Sequence, residues 1–195
     1  MNGHYSNNIM FFLFSRTDPG HKLLTLAAAA KHKTNRDALK GKMEKYIKKN
    51  KNKPENLNIT DKNGRTFLQY AAAYGFKNIA QTLIENGANV NMENNNGNTA
   101  LHLATARGYK IIAQTLINHE AKIDIQNNNG KTALHLAAAR SYKTIAQTLI
   151  KHEANQNLKD IKNKTALDYA SVKSHQKIIA ILKNTPTSAT QSEQP

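Results

Sequence analysis

Cysteine is absent from this 195-residue chain, which rules out disulfides, thiolate-held metals and a cysteine nucleophile. Tryptophan is absent too, and aromatics make up only 6% of the residues, so the interior has to be built from Ala, Leu and Ile. Small side chains let helices approach closely, which favours thin layers over one thick globular core. Long apolar runs are also missing. The strongest one near the N-terminus, Ile9 to Phe14, is far shorter than the ~20 residues of a membrane span and the ~7–15 of a signal-peptide core. No positive charge precedes it, and it reads as a tail or hydrophobic flap. Two Asn-x-Thr triplets, at Asn58 and Asn163, are then chance matches, because a chain that is not secreted receives no glycan.

Negative charge is scarce. There are 13 Asp and Glu against 28 Lys and Arg, a net charge of +15 and a pI near 9.9. That balance favours acidic partners through long-range attraction and says nothing about fold. Residues 20–57 concentrate it, with eleven Lys or Arg against Asp37, Glu44 and Glu55.

What the chain does have is a period. Thr66, Thr99, Thr132 and Thr165 lie 33 residues apart, as do Leu68, Leu101, Leu134 and Leu167, and Leu83, Leu116, Leu149 and Leu182. The segments Ala80-Gln-Thr-Leu-Ile84, Ala113-Gln-Thr-Leu-Ile117 and Ala146-Gln-Thr-Leu-Ile150 are identical. Each unit reads as turn, helix, turn, helix. Thr99 follows Gly97 and can cap a helix through Leu101, Leu103, Ala104 and Ala106, which Gly108 interrupts. Ile112, Ala113, Leu116 and Ile117 then form one apolar stripe, and Asn94-Asn-Asn-Gly97 supplies the turn before the unit. Helices of about nine residues fall below the ~12–15 that persist alone in water, so neighbouring units must hold each other.

The unit resembles the ankyrin repeat. Thr99-Ala-Leu-His-Leu-Ala104, Thr132-Ala-Leu-His-Leu-Ala137, Asn86-Gly-Ala-Asn-Val-Asn91 and the tip Asp61-Lys-Asn-Gly64 carry the resemblance, over residues 57 to about 184. It implies an all-α repeat solenoid of stacked helix-turn-helix units with β-hairpin loops. Some positions depart from the family. Phe67, Ala100, Ala133 and Ala166 stand where proline is usual, which predicts less rigid helix starts. Gln69 and Asp168 replace the motif histidine, and Asp168 still suits a first helical turn, three residues after Thr165. Glu120 and Glu153 replace a glycine that ends the second helix, and Ser141 and Ser174 replace the glycine between helices. A left-handed conformation at either glutamate would cost on the order of 1 kcal/mol.

The expected organisation is a tail over 1–19, a divergent basic capping repeat over 20–56, and repeats over 57–93, 94–126, 127–159 and 160–184. A disordered polar tail over 185–195 follows. In the last repeat Ile178, Ile179, Ile181 and Leu182 are expected to face inward, and Lys173, Gln176, Lys177 and Lys183 to be solvated. In the first, Leu23-Leu-Thr-Leu-Ala27 echoes the Leu-His-Leu-Ala pattern, and Leu39, Met43, Tyr46 and Ile47 recur at helical spacing.

Chemical motifs are missing. There is no Gly-x-x-x-x-Gly-Lys-Ser/Thr, no Gly-x-Ser-x-Gly and no His-Glu-x-x-His, and the carboxylates are scattered. His102 and His135 occupy equivalent positions in stacked units ~8–10 Å apart, too far to share an ion through bonds of ~2.0–2.1 Å. The resemblance makes these histidines structural. His119 and His152 fall at ends of second helices, where a donor to free carbonyls is ordinary capping. No catalytic, cofactor or metal residue is expected.

The resemblance also implies that partners contact the hairpin tips and the exposed side of the first helices. The matching positions are Lys62, Asn63, Arg65 and Tyr74, then Asn95, Asn96, Asn98 and Arg107, then Asn128, Asn129, Lys131 and Arg140, and last Ile161, Lys162, Lys164 and Lys173. They include eight Lys or Arg and no Asp or Glu. An acidic protein partner is expected, with Tyr74, Arg107 and Arg140 as anchors, bound at a basic concave face by a monomeric scaffold or inhibitor. The alternative is nucleic acid or an anionic membrane held by residues 40–53, where Lys48-Lys-Asn-Lys-Asn-Lys53 otherwise reads as a solvated helix end. Aromatics for base stacking are nearly absent there. The expected compartment is the cytoplasm. The Asn- and Lys-heavy usage resembles codon bias toward A and T, and an intracellular microbial source would make delivery into a host cell a further possibility.

Overall fold

A computed structural model describes residues 19–30, 33–51 and 53–184. The tails read from the sequence at its two ends lie outside these residues, except that Pro19 already opens the first helix. The chain divides into two compact units, residues 1–89 and 90–195.

The first unit contains α1 (Pro19–Ala29), α2 (Lys33–Lys49), the short α3 (Pro54–Leu57), α4 (Phe67–Tyr74) and α5 (Lys77–Glu85). Leu24 of α1 is fully buried, as is Leu101 at the matching repeat position, while Leu26 stays half exposed. Leu39, Met43 and Ile47 recur every four residues on α2 and are all buried, so this lysine-rich helix has one apolar stripe turned inward. Asn50 ends α2: its amide donates to the Tyr46 carbonyl at 2.9 Å and its oxygen accepts from Asn56 at 2.7 Å. The residues between the cap and the regular period are thus structured, with Leu57 fully buried and Tyr46 packed 5.0 Å from Phe67.

The second unit holds three helix pairs: α6 (Ala100–Arg107) with α7 (Lys110–Asn118), α8 (Ala133–Ala139) with α9 (Lys143–Lys151), and α10 (Ala166–Val172) with α11 (Gln176–Asn184). First helices pack on first helices and second on second, giving two layers in a row. The core between them is Leu101, Leu134, Ala104, Ala137 and Ala170 against Ile112, Leu116, Ile145, Leu149, Ile178 and Leu182. Every first helix of the regular period starts on a threonine that accepts from the N–H three residues on, while that residue's side chain accepts from the threonine N–H. This reciprocal cap takes the place of the missing proline, and the residues at that position, Phe67, Ala100, Ala133 and Ala166, are buried.

One expectation is made more exact and one is corrected. No strand forms among the described residues. At each tip one Asp or Asn side chain accepts from two backbone N–H groups of the turn: Asp61 Oδ1 accepts from Asn63 and Arg65, both at 2.8 Å. Asn94 Oδ1 accepts from Asn96 and Asn98 in the same way. Each tip is a hairpin-like turn that this side chain closes together with one backbone bond across the base, such as Asp61 N–H to the Arg65 carbonyl and Asn94 N–H to the Asn98 carbonyl, both at 3.0 Å. In the last pair Ile178 and Leu182 are buried, but Ile179 and Ile181 are half exposed, because they take the places of Ala146 and Thr148 and no described helix covers that side.

The glycine replacements are strained. Glu120 and Glu153 sit at φ 63° and 64°, where the first unit has Gly87 at 84°, and Ser141 and Ser174 sit at 59° and 54°, where Gly108 has 73°. Relieving a left-handed non-glycine residue, less the backbone entropy glycine loses on folding, leaves about 0.5–1 kcal/mol per site. Glu120→Gly and Glu153→Gly are therefore expected to raise the urea midpoint, additively in the double variant. An unchanged or lowered midpoint would show that these two turns carry no strain.

Candidate functional site

His102 shows how one unit is tied to the next. Its Nδ1 accepts from the Thr99 N–H at 3.2 Å, and a backbone N–H can only donate, so Nδ1 carries no proton. Nε2–H then donates to the Lys131 carbonyl in the following turn at 2.9 Å. His135 repeats the arrangement, with Nδ1 on Thr132 at 3.2 Å and Nε2 on the Lys164 carbonyl at 3.1 Å. Burial lowers the pKa of both histidines, against the opposing pull of those carbonyls. Each is a neutral two-ended clamp with no nitrogen left for chemistry. Gln69 caps Thr66 by the same geometry with its Oε1 at 3.3 Å.

Asparagine side chains run a second set of links. Asn58 accepts from the Asn89 N–H at 2.8 Å in the first unit; in the second, Asn91 accepts from Lys122 at 2.8 Å and Asp124 from Asn155 at 3.0 Å. Asn128 donates to the Asn95 carbonyl at 3.0 Å, and Asn127 to the Asn98 side chain at 2.9 Å. The turn tips approach so closely that a Cβ on Gly97 would lie 2.8 Å from the Asn128 nitrogen, and one on Gly130 2.8 Å from that of Ile161. These links went unnoticed in the sequence; recurrence of Asn or Asp at 58, 91 and 124 was the available signal.

A further pairing was also missed. Tyr70 donates to Asp61 Oδ2 at 2.6 Å and Tyr169 to Asp160 Oδ2 at 2.5 Å. Where the helix carries Leu103 or Leu136 instead of tyrosine, the turn carries Asn94 or Asn127 instead of aspartate. The hydrogen bond from Tyr169 to Asp160, helped by burial, pushes the phenol up to about 12. Burial alone would raise Asp160, but the Tyr169 hydroxyl and the N–H groups of Lys164 and Lys162 outweigh it and hold the carboxyl below its ordinary range.

Against this framework the expected contact residues divide. Lys62, Asn63, Asn95, Asn96, Arg107, Asn128, Asn129, Arg140, Lys162 and Lys173 are exposed. Tyr74 is half-buried: its hydroxyl donates to the Ala27 carbonyl at 2.7 Å and Arg36 lies 4.8 Å from its ring centre, so it joins α1 to α4. Arg65 packs 5.7 Å from the Tyr70 ring and Lys131 4.3 Å from the Tyr169 ring, both half-buried. Asn98 is bonded as above, and Lys164 is half-buried with its N–H on Asp160 and its carbonyl on His135. Ile161 and Val172 are the most exposed large apolar side chains among the described residues, at 69% and 75%. His119 and His152 are helix ends, each Nδ1 on a threonine carbonyl at 2.8 and 2.9 Å. Among the described residues no three His, Cys, Asp or Glu gather as metal ligands, and no helix is long and apolar enough to cross a membrane.

The clamp histidines predict a pH dependence. Their folded pKa values lie below the ordinary value of about 6.5, so between that value and the lower folded one the unfolded chain binds protons that the folded chain does not. Stability is full above about pH 6.5 and is lost as the pH falls. His102→Gln with His135→Gln copies the Gln69 cap and is expected to flatten the melting temperature between pH 7.5 and 5. Equal losses in the variant and the parent would refute the assignment.

The periodic helix pairs, the threonine caps and the tip turns agree with a comparison against known families. The family described as Ankyrin repeats (3 copies) matches residues 26–127 and 112–191. No curated protein matches the chain. Ankyrin repeats generally mediate protein–protein interaction. With its match reaching from residue 26 to residue 191, this chain belongs to the ankyrin repeat family.

Proposed function

We propose that the chain is a non-catalytic interaction module that presents basic turn tips and helix ends to an acidic protein partner, as a scaffold or as an inhibitor of that partner. The observation that carries this reading lies in the second unit. Positions 95–98, 107, 128–131, 140, 161–164 and 173 hold Arg107, Lys131, Arg140, Lys162, Lys164 and Lys173 and no carboxylate. Arg107, Arg140, Lys162 and Lys173 are exposed there, and the bonds from His102, Asn128 and His135 that join neighbouring repeats do not use their side chains. In the first unit Lys62 and Asn63 are the exposed members, and Tyr74 serves packing instead. Affinity purification of the tagged chain with mass spectrometry is expected to enrich acidic proteins. Arg107→Glu with Arg140→Glu is expected to weaken capture roughly ten-fold at low salt, since exposed ion pairs contribute ~0.2–1 kcal/mol each and reversal adds repulsion. Capture that survives the double variant unchanged would count against this face.

A second reading is supported by α2. With Leu39, Met43 and Ile47 buried, Lys42, Lys45 and Lys49 follow i, i+3, i+7 spacing along one exposed edge. Such a stripe suits the phosphates of nucleic acid or an anionic membrane. Retention on DNA or on acidic vesicles is then expected to fall steeply with salt, and Lys42→Ala, Lys45→Ala and Lys49→Ala together would abolish that slope. A slope unchanged in the triple variant would remove this reading.

A further inference from the structure

Arg107, Arg140 and Lys173 lie at one repeat position, 33 residues apart, each at the C-terminal end of a first helix and each exposed. The three helices α6, α8 and α10 pack side by side in that order. Packed helices stand ~8–10 Å apart, which sets the step of this cation column. A partner that neutralises it has to offer negative charge at the same step and on one side.

Regular peptide conformations meet that demand unequally. In an extended β-strand, residues on one side recur every ~6.7 Å or ~13 Å, and the intermediate third residue points away. A polyproline II segment has three residues per turn and a rise of ~3.1 Å, so every third side chain returns to the same side after ~9.3 Å. An α-helix returns after two turns, at ~10.5 Å, but its backbone is already hydrogen-bonded internally. Polyproline II leaves its carbonyls unpaired, and exposed amides such as those of Asn96 and Asn129 at the turn tips are groups of the kind that can serve them. The helix dipole by itself would favour a cation at each of the three helix ends. It does not account for Lys131, Lys162 and Lys164 at the tips, where the Asp160 carboxylate is buried and bonded to Tyr169.

The column also has a direction. The position before the cation is Ala106, then Ala139, then Val172, and Val172 is 75% exposed. The same last repeat places Ile161 at its tip, 69% exposed. Polar asparagine occupies that tip position in the two preceding repeats, at Asn95 and Asn128. The surface therefore passes from amide and cation to cation beside exposed aliphatic side chains.

We propose that this face binds an extended acidic segment of its partner in the polyproline II conformation, with carboxylates at every third residue over Arg107, Arg140 and Lys173 and an apolar residue beside Val172. The proposal rests on the acidic-partner reading above and adds the spacing, the backbone conformation and the apolar end.

The test uses the full chain and labelled synthetic peptides in fluorescence anisotropy at low salt. One peptide is three Glu-Pro-Pro triplets followed by leucine. A second has the same composition with the three glutamates contiguous, and a third replaces each glutamate by glutamine. The spaced peptide is expected to bind roughly ten-fold more tightly than the contiguous one. It is expected to lose that advantage against Arg140→Glu, and to lose its preference for leucine over serine at the end against Val172→Ser. Equal affinity for the spaced and contiguous peptides would overturn the spacing while leaving the acidic-partner reading intact. If neither acidic peptide outbinds the glutamine peptide, both readings fall. A spaced-peptide affinity unchanged by Arg140→Glu would place binding elsewhere and overturn the site.

Discussion

A helix of seven to nine residues does not persist in water alone, and in the second unit the regular helices all have that length. Order therefore depends on what passes between one pair and the next. Apolar packing supplies most of the free energy, through Leu101, Leu134, Leu116 and Leu149, but such packing is not directional. Register between units needs groups with one correct partner. The neutral histidine clamps provide it, because a single imidazole closes the cap of its own helix and holds the carbonyl of the following turn. The same requirement explains Gly97 and Gly130, where the next turn comes too close for any side chain.

This constraint reinterprets the composition. The asparagine-rich turns resemble a binding surface when read along the chain, yet Asn91, Asn98, Asn127 and Asn128 are engaged with neighbouring units. Asparagine suits that work because its amide both donates and accepts and because it tolerates turn conformations. Asn94 and Asn127 give way to Asp61 and Asp160 where a tyrosine hydroxyl is at hand, since a carboxylate accepts at both oxygens and the phenol supplies a donor. The residues that this linkage leaves exposed include the cations, a few tip amides, and the aliphatic side chains of Ile161 and Val172.

Much of the fold was legible because it is periodic. The 33-residue interval placed every regular helix, the threonines placed their starts, and the replacements at Glu120, Ser141, Glu153 and Ser174 pointed to left-handed backbone that the structure contains. Other features depend on distance in space and had no local signal. Tyr74 has the composition of an interface anchor, and only the positions of Ala27 and Arg36 reveal it as a joint. The tips follow hairpin chemistry in sequence and keep a backbone bond across the base, but that Asp61 also gathers the Asn63 and Arg65 N–H groups is visible only in space. Ile179 and Ile181 fit the apolar stripe and are still half exposed, because burial on that side requires a further neighbour.

Separating linkage from surface has a consequence for how the molecule can change. A substitution at His102, Asn127 or Gly130 acts on two units at once, removing a cap or a close approach together with a link to the next turn. Arg107, Arg140 and Lys173 make no such link, and surface replacements away from special features usually alter stability by no more than ~0.5 kcal/mol. Charge on this face is therefore nearly independent of folding. Arg107, Arg140 and Lys173 carry like charge at one repeat position, and the Asp160 carboxylate of the last tip is taken up by Tyr169 and the N–H groups of Lys162 and Lys164, so the three exposed cations repel one another only weakly through solvent. Folding neither requires nor strongly opposes these charges, so their sign can be reversed without disturbing the links between repeats.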